Sequence, residues 1–180
     1  MRIIAGEWRG RRLVTPKGDA TRPTADRTRE TLFNMLASRL GSLEGLAVVD
    51  LFAGSGALGL EALSRGAAHC LFVEQDAAAL AALRTNVATL GVKARATIRS
   101  GSVLELSPAK VASDLVLLDP PYGSNVGQVA LHRLLRLGWL DAASLAVLET
   151  ERAAEVKIPG FSFEAERVVG KAKLWFLRPI

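Results

Sequence analysis

One cysteine, Cys70, stands in 180 residues, so no internal disulfide can form; this agrees with a reducing compartment. Cys70 itself reads as a core residue rather than a nucleophile. Histidine is almost as scarce. His69 and His132 have no further ligand at metal spacing, and no metal site is expected. No stretch approaches the roughly 20 apolar residues of a membrane span. The opening MRIIAGEWRGRRL lacks the continuous apolar run of a signal peptide. Repeats and low-complexity tracts are missing as well. The expectation is a cytoplasmic monomer without a membrane partner, formed as a single domain over residues 1–180, with residues 1–23 as a basic hairpin extension.

What is present is positive charge at one end. The net charge is +5 and the sequence pI about 9.9. Residues 1–29 hold eight basic and three acidic residues, the whole excess, while residues 30–180 are balanced at 15 each. A basic end on a neutral body suits a polyanion, most simply nucleic acid, although a solubilising tail has the same composition. Arg9, Arg11, Arg12, Arg27 and Arg29 are the candidate phosphate contacts. Trp8, within the basic turn, is open to either packing or stacking on RNA.

The rest of the chain alternates strand and helix patterns. Ile3–Ala5 and Arg12–Val14 flank a glycine turn and read as a short hairpin. Thr24 is placed as the N-cap of a helix to about Leu40, with Leu32, Phe33, Leu36 and Leu40 on its apolar face. Strands are expected at 46–52, 70–74, 94–99, 115–118 and 145–149, and a terminal antiparallel pair at 161–169 and 173–177. Helices are expected from Leu58, over Ala77–Leu90 and over Val126–Leu137. This order implies an α/β fold with a mostly parallel sheet and helices on both faces. Right-handed crossovers then put the strands' C-terminal ends on one edge, where ligands bind.

Two motifs fall on that edge. Asp50-Leu-Phe-Ala-Gly54-Ser-Gly56-Ala-Leu-Gly59 links a buried strand to a helix. Gly54 and Gly56 would let the backbone approach a ligand. Glu74, at the end of the second strand, can accept from both ribose hydroxyls of an adenosine. The same pattern occurs in dinucleotide enzymes, and a tight turn with no ligand would also satisfy it. Asp50 tilts the choice: a carboxylate there is repelled by a pyrophosphate but suits the ammonium of S-adenosylmethionine.

The second motif is Leu115-Val-Leu-Leu-Asp119-Pro120-Pro121-Tyr122-Gly123. Two prolines lock φ and remove two N–H donors, leaving the Pro120 carbonyl as an acceptor. An exocyclic amino group on a nucleobase has two N–H donors. The Asp119 carboxylate and the Pro120 carbonyl can take one each, and Tyr122 offers a ring for the base to stack on. Gly123, Ser124 and Asn125 read as a lid. Asp119, Pro120 and Tyr122 are therefore the candidate catalytic residues. Glu149, at the end of the fifth strand, is assigned a structural or supporting role, and Trp139 and Trp175 packing roles.

The chain resembles the RsmD-type methyltransferases nearly end to end, through RIIAGEWRGRRL, TRPTADRTRETLFNML, VVDLFAGSGALGLEALSRGA, LFVEQD, LVLLDPPYG and AKLWFL. The resemblance implies a Rossmann-like, S-adenosylmethionine-dependent methyltransferase fold of seven strands with the last antiparallel. It implies methylation of a guanine N2 amino group in 16S ribosomal RNA, within the 30S subunit or an assembly intermediate. It also places Arg22 and Thr24 on the cofactor side. Ser102 stands where relatives often carry an acid that contacts the adenine amino group. A DNA adenine-N6 methyltransferase is the alternative, disfavoured because the chain has no room for a sequence-reading domain. An NAD-linked oxidoreductase would leave the DPPY corner unused, and a non-catalytic RNA-binding protein would leave both motifs idle.

Overall fold

The computed structural model describes residues 1–17 and 23–180, with Pro23 and Thr24 described by backbone alone. The helices are α1 (Pro23–Leu40), α2 (Ala57–Ser64), α3 (Ala77–Leu90) and α4 (Val126–Arg136). The strands are β1 (Ala47–Leu51), β2 (His69–Glu74), β3 (Ala96–Ser100), β4 (Leu115–Leu118), β5 (Leu145–Glu151), β6 (Phe161–Val169) and β7 (Ala172–Pro179). They form one seven-stranded sheet in the order β3-β2-β1-β4-β5-β7-β6. The pairings among β1 to β5 are all parallel, and β7 runs antiparallel to both β5 and β6. The fold is the α/β architecture expected, with β7 as the reversed strand.

The chain order turns back between β1 and β4, so a crevice opens beyond their C-terminal ends. Strand β4, at the centre, is buried at all four residues, as a strand covered on both faces must be. One face is covered by Leu32, Phe33 and Leu36 of α1, Leu60 and Leu63 of α2, and Leu83 and Val87 of α3. Ala130, Leu131 and Leu134 of α4 cover the other. Fully burying a side chain such as Phe33 contributes roughly 1.5–3 kcal/mol, so the stripe at 32, 33 and 36 is enough to dock α1.

Two helix starts depend on specific local groups. In α3 the Asp76 side chain accepts from the Ala79 N–H at 2.9 Å, and Gly91 closes the helix at φ 70°. Helix α1 begins at Pro23, so Thr24 lies in its first turn and is not the N-cap. Proline suits that position because its φ is preset and its missing N–H would have no helical partner there.

Residues 1–14 are integrated into the body rather than appended to it. Ile3 N–H donates to Arg11 O, Gly10 N–H to Ile3 O and Leu13 N–H to Met1 O, with a single bridge between Arg2 and Arg12. Ile3 and Leu13 are buried in the core. Glu61, wholly buried on α2, accepts from the backbone N–H groups of Ile4 (2.9 Å) and Ala5 (3.1 Å) and pairs with Arg65. Glu7 and Trp8 N–H groups bond to Ser64. The hairpin tip therefore docks at the C-terminal end of α2.

Candidate active site

A cleft of about 790 Å³ lies at the carboxyl edge of the sheet, its walls including Val73, Glu74, Ser102, Asp119, Tyr122 and Glu149. Beside it is a recess of about 210 Å³ lined by Asp50, Gly54, Ser55, Thr15 and Pro16. Phe52 and Asp119 line both. Phe52 is the only non-glycine among the described residues with a positive φ, 56°. Such a conformation costs on the order of 1–3 kcal/mol and is held by its surroundings. Here it turns the chain between β1 and the glycine loop.

The glycine loop is tied to its neighbours. Gly54 N–H donates to Glu74 Oε1 at 2.8 Å, and the other Glu74 oxygen accepts from Gln75 and Asp76 N–H groups. Asn86 on α3 donates to Ser55 O and Val14 O, and its oxygen accepts from Val14 N–H. One buried amide thus joins the loop to the N-terminal segment whose next residues, Thr15 and Pro16, wall the recess.

The two glycines of this loop have different roles. A Cβ on Gly54 would meet nothing within 4 Å, so its backbone is open to a ligand. A Cβ on Gly56 would lie 2.4 Å from the Leu83 side chain. Gly56, expected beside the cofactor, lines neither cavity; its missing side chain lets α2 pack against α3. Asp50 is buried, with one oxygen accepting from Gly59 N–H at 2.9 Å. Burial drives its carboxyl well above the ordinary range, and the Asp119 and Glu74 charges add to this.

Asp119 leaves the tip of β4 at the floor of the cleft. Protein crowds it on nearly every side, yet its carboxylate opens to the solvent of the cleft. That crowding raises it to about 6. Glu149, on the neighbouring strand, is raised to about 8 by burial and then by the Asp119 charge. Tyr122 donates its hydroxyl to Glu149 Oε1 at 3.2 Å. Burial and the nearby carboxylates push the Tyr122 phenol up. Glu149 was expected only to support the edge, but it stands within the cleft. The apolar run Leu145–Leu148 marked it as a strand end, without showing what it faces.

The turn after Tyr122, expected as a lid, is closed by Ser124 Oγ on Pro121 O (3.0 Å) and by Gly123 N–H on Glu151 (3.4 Å). Ser102 lines the cleft, and its hydroxyl accepts from Leu104 N–H at 3.2 Å, capping a short 3₁₀ turn over 103–105. Arg22 lies outside the described residues, and the Thr24 side chain does too.

The basic residues divide. Arg9, Arg11, Arg12 and Arg27 are exposed. Arg29 is only 3% exposed; it donates to Arg2 O and pairs with Asp26 at 3.2 Å. Burial lowers its pKa, and its Nε has no partner among the described residues. It is a structural residue, not the phosphate contact expected, because its position on α1 turns it inward under the hairpin. Arg9 sits at the hairpin tip, about 12 Å along α2 from the glycine loop at 1.5 Å per residue. Arg11 reaches Thr89 O near the far end of α3. Trp8 is half-buried with the Arg95 guanidinium 5.5 Å from its ring centre, and Trp139 and Trp175 pack in the core as expected. No group of residues suited to a metal ion occurs among the described residues, and no helix is long and apolar enough to cross a membrane.

The family model for conserved hypothetical protein 95 matches residues 1–178. The chain is 39% identical over 175 residues to the ribosomal RNA small subunit methyltransferase D of Escherichia coli K12, covering 95% of this chain and 86% of that one. A solved Escherichia coli structure, described as a candidate methyltransferase, superposes with a TM-score of 0.86 at 36% identity, covering 99% and 97% of the two chains. A magnesium protoporphyrin IX methyltransferase from Synechocystis, solved with S-adenosylmethionine bound, shares the fold at TM-score 0.68 and 14% identity, over 91% of this chain and 87% of that one. The chain belongs to the conserved hypothetical protein 95 family, that of the RsmD-type methyltransferases.

Proposed function

We propose that the chain methylates the N2 amino group of a guanine in 16S ribosomal RNA, using S-adenosylmethionine, as a cytoplasmic, single-domain monomer. The target is the RNA of the 30S subunit or an assembly intermediate. The observation that carries this reading is the position of Asp119, where the cleft and the recess meet. The relatives' names favour ribosomal RNA over the DNA adenine alternative.

The residues fit the cofactor. The open space over Gly54 admits a ligand against the backbone, and Glu74, whose Oε2 already accepts two backbone N–H groups, retains a lone pair on Oε1 for a ribose hydroxyl. Asp50, buried beside the recess, would regain its charge opposite an ammonium. Ser102 and the apolar Val103 and Leu104 offer a wall for an adenine. When bound, S-adenosylmethionine supplies an electrophilic methyl group on a positively charged sulfur.

The chain's own part is positioning and charge. The Asp119 carboxylate and the Pro120 carbonyl accept the two amino hydrogens, which turns the nitrogen lone pair out of the ring conjugation. Asp119 then stabilises the positive charge that grows on nitrogen and accepts the proton that nitrogen sheds. The half-exposed Tyr122 ring stacks on the base, with its hydroxyl held by Glu149. The exposed Arg9, Arg11, Arg12 and Arg27 hold flanking RNA phosphates, at some distance from the target base in the case of the hairpin tip. A labelled-methyl assay on undermethylated 30S particles, free 16S RNA and DNA in parallel tests the reading. Label in DNA, or label at a position other than guanine N2, would overturn it.

A further inference from the structure

Leu118 of β4 pairs in register with Leu148 of β5. The next residues, Asp119 and Glu149, therefore leave adjacent parallel strands side by side, about 4.8 Å apart across the sheet. Both line the same cleft. The Tyr122 hydroxyl is the only donor to the Glu149 carboxyl among the described residues, and it uses Oε1. Oε2 is left without a protein donor in a largely enclosed place. Burial raises this carboxyl to about 8, as expected for an acid short of donors.

The bases differ at the matching point. Guanine carries N1–H, a donor, next to its N2 amino group. Adenine carries a bare N1, an acceptor, next to its N6 amino group. With Asp119 and Pro120 occupied by the amino hydrogens, the next acceptor along the edge faces N1. Ionised, a carboxyl there accepts guanine N1–H and opposes the lone pair of adenine, so the discrimination belongs to the carboxylate form and is fullest above about pH 8.

Resting on the guanine reading above, we propose that Glu149 is a specificity-determining residue: its carboxyl, aimed by Tyr122, accepts guanine N1–H while Asp119 and Pro120 hold the N2 amino group. Tyr122 then serves twice, as a stacking ring and as the group that fixes the acceptor. Among the described residues, Glu149 is the only other acid that lines the cleft from either strand beside β4.

The test uses 2-aminopurine, which keeps the amino group on the same ring carbon but has a bare N1. Undermethylated small-subunit RNA is first methylated by the wild-type protein and the modified guanine located. RNA carrying 2-aminopurine at that position is then compared with the guanine form by kcat/KM at about pH 8.5, where the Glu149 carboxyl is mostly ionised. Wild type should prefer guanine by roughly 10- to 100-fold, the discrimination of one well-placed base contact. Glu149→Gln, whose amide can turn an N–H towards a bare N1, should bring the preference to within about 3-fold, that contact now being made with either base. Glu149→Ala should lose guanine activity and preference together. S-adenosylmethionine affinity, measured by calorimetry, should be unchanged and reports an intact fold. If Glu149→Gln cannot bind the cofactor, Tyr122→Phe replaces it, because it keeps the carboxyl but removes the donor that aims it; a reduced preference supports the assignment. A guanine preference unchanged in the variants that fold overturns it. A wild-type protein that modifies no guanine amine overturns the guanine reading, and this inference with it.

Discussion

Gly54 donates its backbone N–H to Glu74 Oε1 at 2.8 Å, so the glycine loop after β1 and the acid at the tip of β2 form one bonded unit. Glu74→Ala should therefore act twice, removing the ribose acceptor and releasing the loop. The expected loss of S-adenosylmethionine affinity is about 1–3 kcal/mol, the scale of hydrogen bonds to a charged group. Glu74→Gln should lose less, because its amide oxygen can still accept from Gly54. Calorimetry checks both, and unchanged affinity in Glu74→Ala would remove this residue from the site.

Asp119→Ala should reduce turnover by on the order of 100-fold or more while leaving cofactor affinity nearly intact, as for removal of one preorganised charged group. Single-turnover methyl transfer, with cofactor binding measured separately, makes the comparison. Near-normal turnover would show that the amine is held without this carboxylate.

The Asp119–Glu149 pair also predicts a pH dependence of stability. Both acids are raised in the folded protein, to about 6 and about 8, above their ordinary values of 3.8 and 4.5. Between those limits the folded state binds more protons than the unfolded state, so the pair's contribution to stability falls as pH rises from about 4 to about 8. Without ligand, thermal melting of Glu149→Gln should lose less stability than wild type across that window, since an amide cannot ionise. Parallel melting curves for the two proteins would place the raised acid elsewhere. In activity, the rising limb with pH should belong to the pair rather than to either acid alone.

The arginines give a contrast. Replacing Arg9, Arg11 and Arg12 with alanine should flatten the salt dependence of RNA binding by about two units if all three touch phosphates, at roughly 0.7 per contact. Melting temperature and cofactor affinity should hardly change. Arg29→Ala should do the reverse, destabilising the fold by about 1–3 kcal/mol because Arg2 O and Asp26 lose a buried partner. RNA titrations at several salt concentrations, beside melting curves, separate the two classes.

Much of this was legible along the chain, because it depends on short-range pattern. The run Leu115–Leu118 is apolar throughout and ends at an acid and two prolines, so both the strand and its corner could be located without knowing what lay beside them. Helix α3, between Asp76 and Gly91, begins and ends where its caps say. The Asp50-to-Gly59 turn and Glu74 could likewise be placed together at the carboxyl edge of the sheet, where Gly54 N–H bonds Glu74.

Four features depended on what long-range folding brings together. Gly56 stands in the glycine pattern of the turn, but that its Cβ position is filled by Leu83, 27 residues later, is decided by packing. Arg29 looked like one more basic residue until the hairpin covered it. Asn86 is one polar residue in an Ala/Leu-rich helix, yet it joins Ser55 to Val14. Glu149 reached the cleft beside Asp119 through the β4–β5 register, which sets Leu148 opposite Leu118. The physical reason is common to all four. Helix caps, prolines and apolar runs act within a few residues, whereas sheet register and the seating of one segment on another are decided by packing of the whole core, which no single stretch of sequence contains.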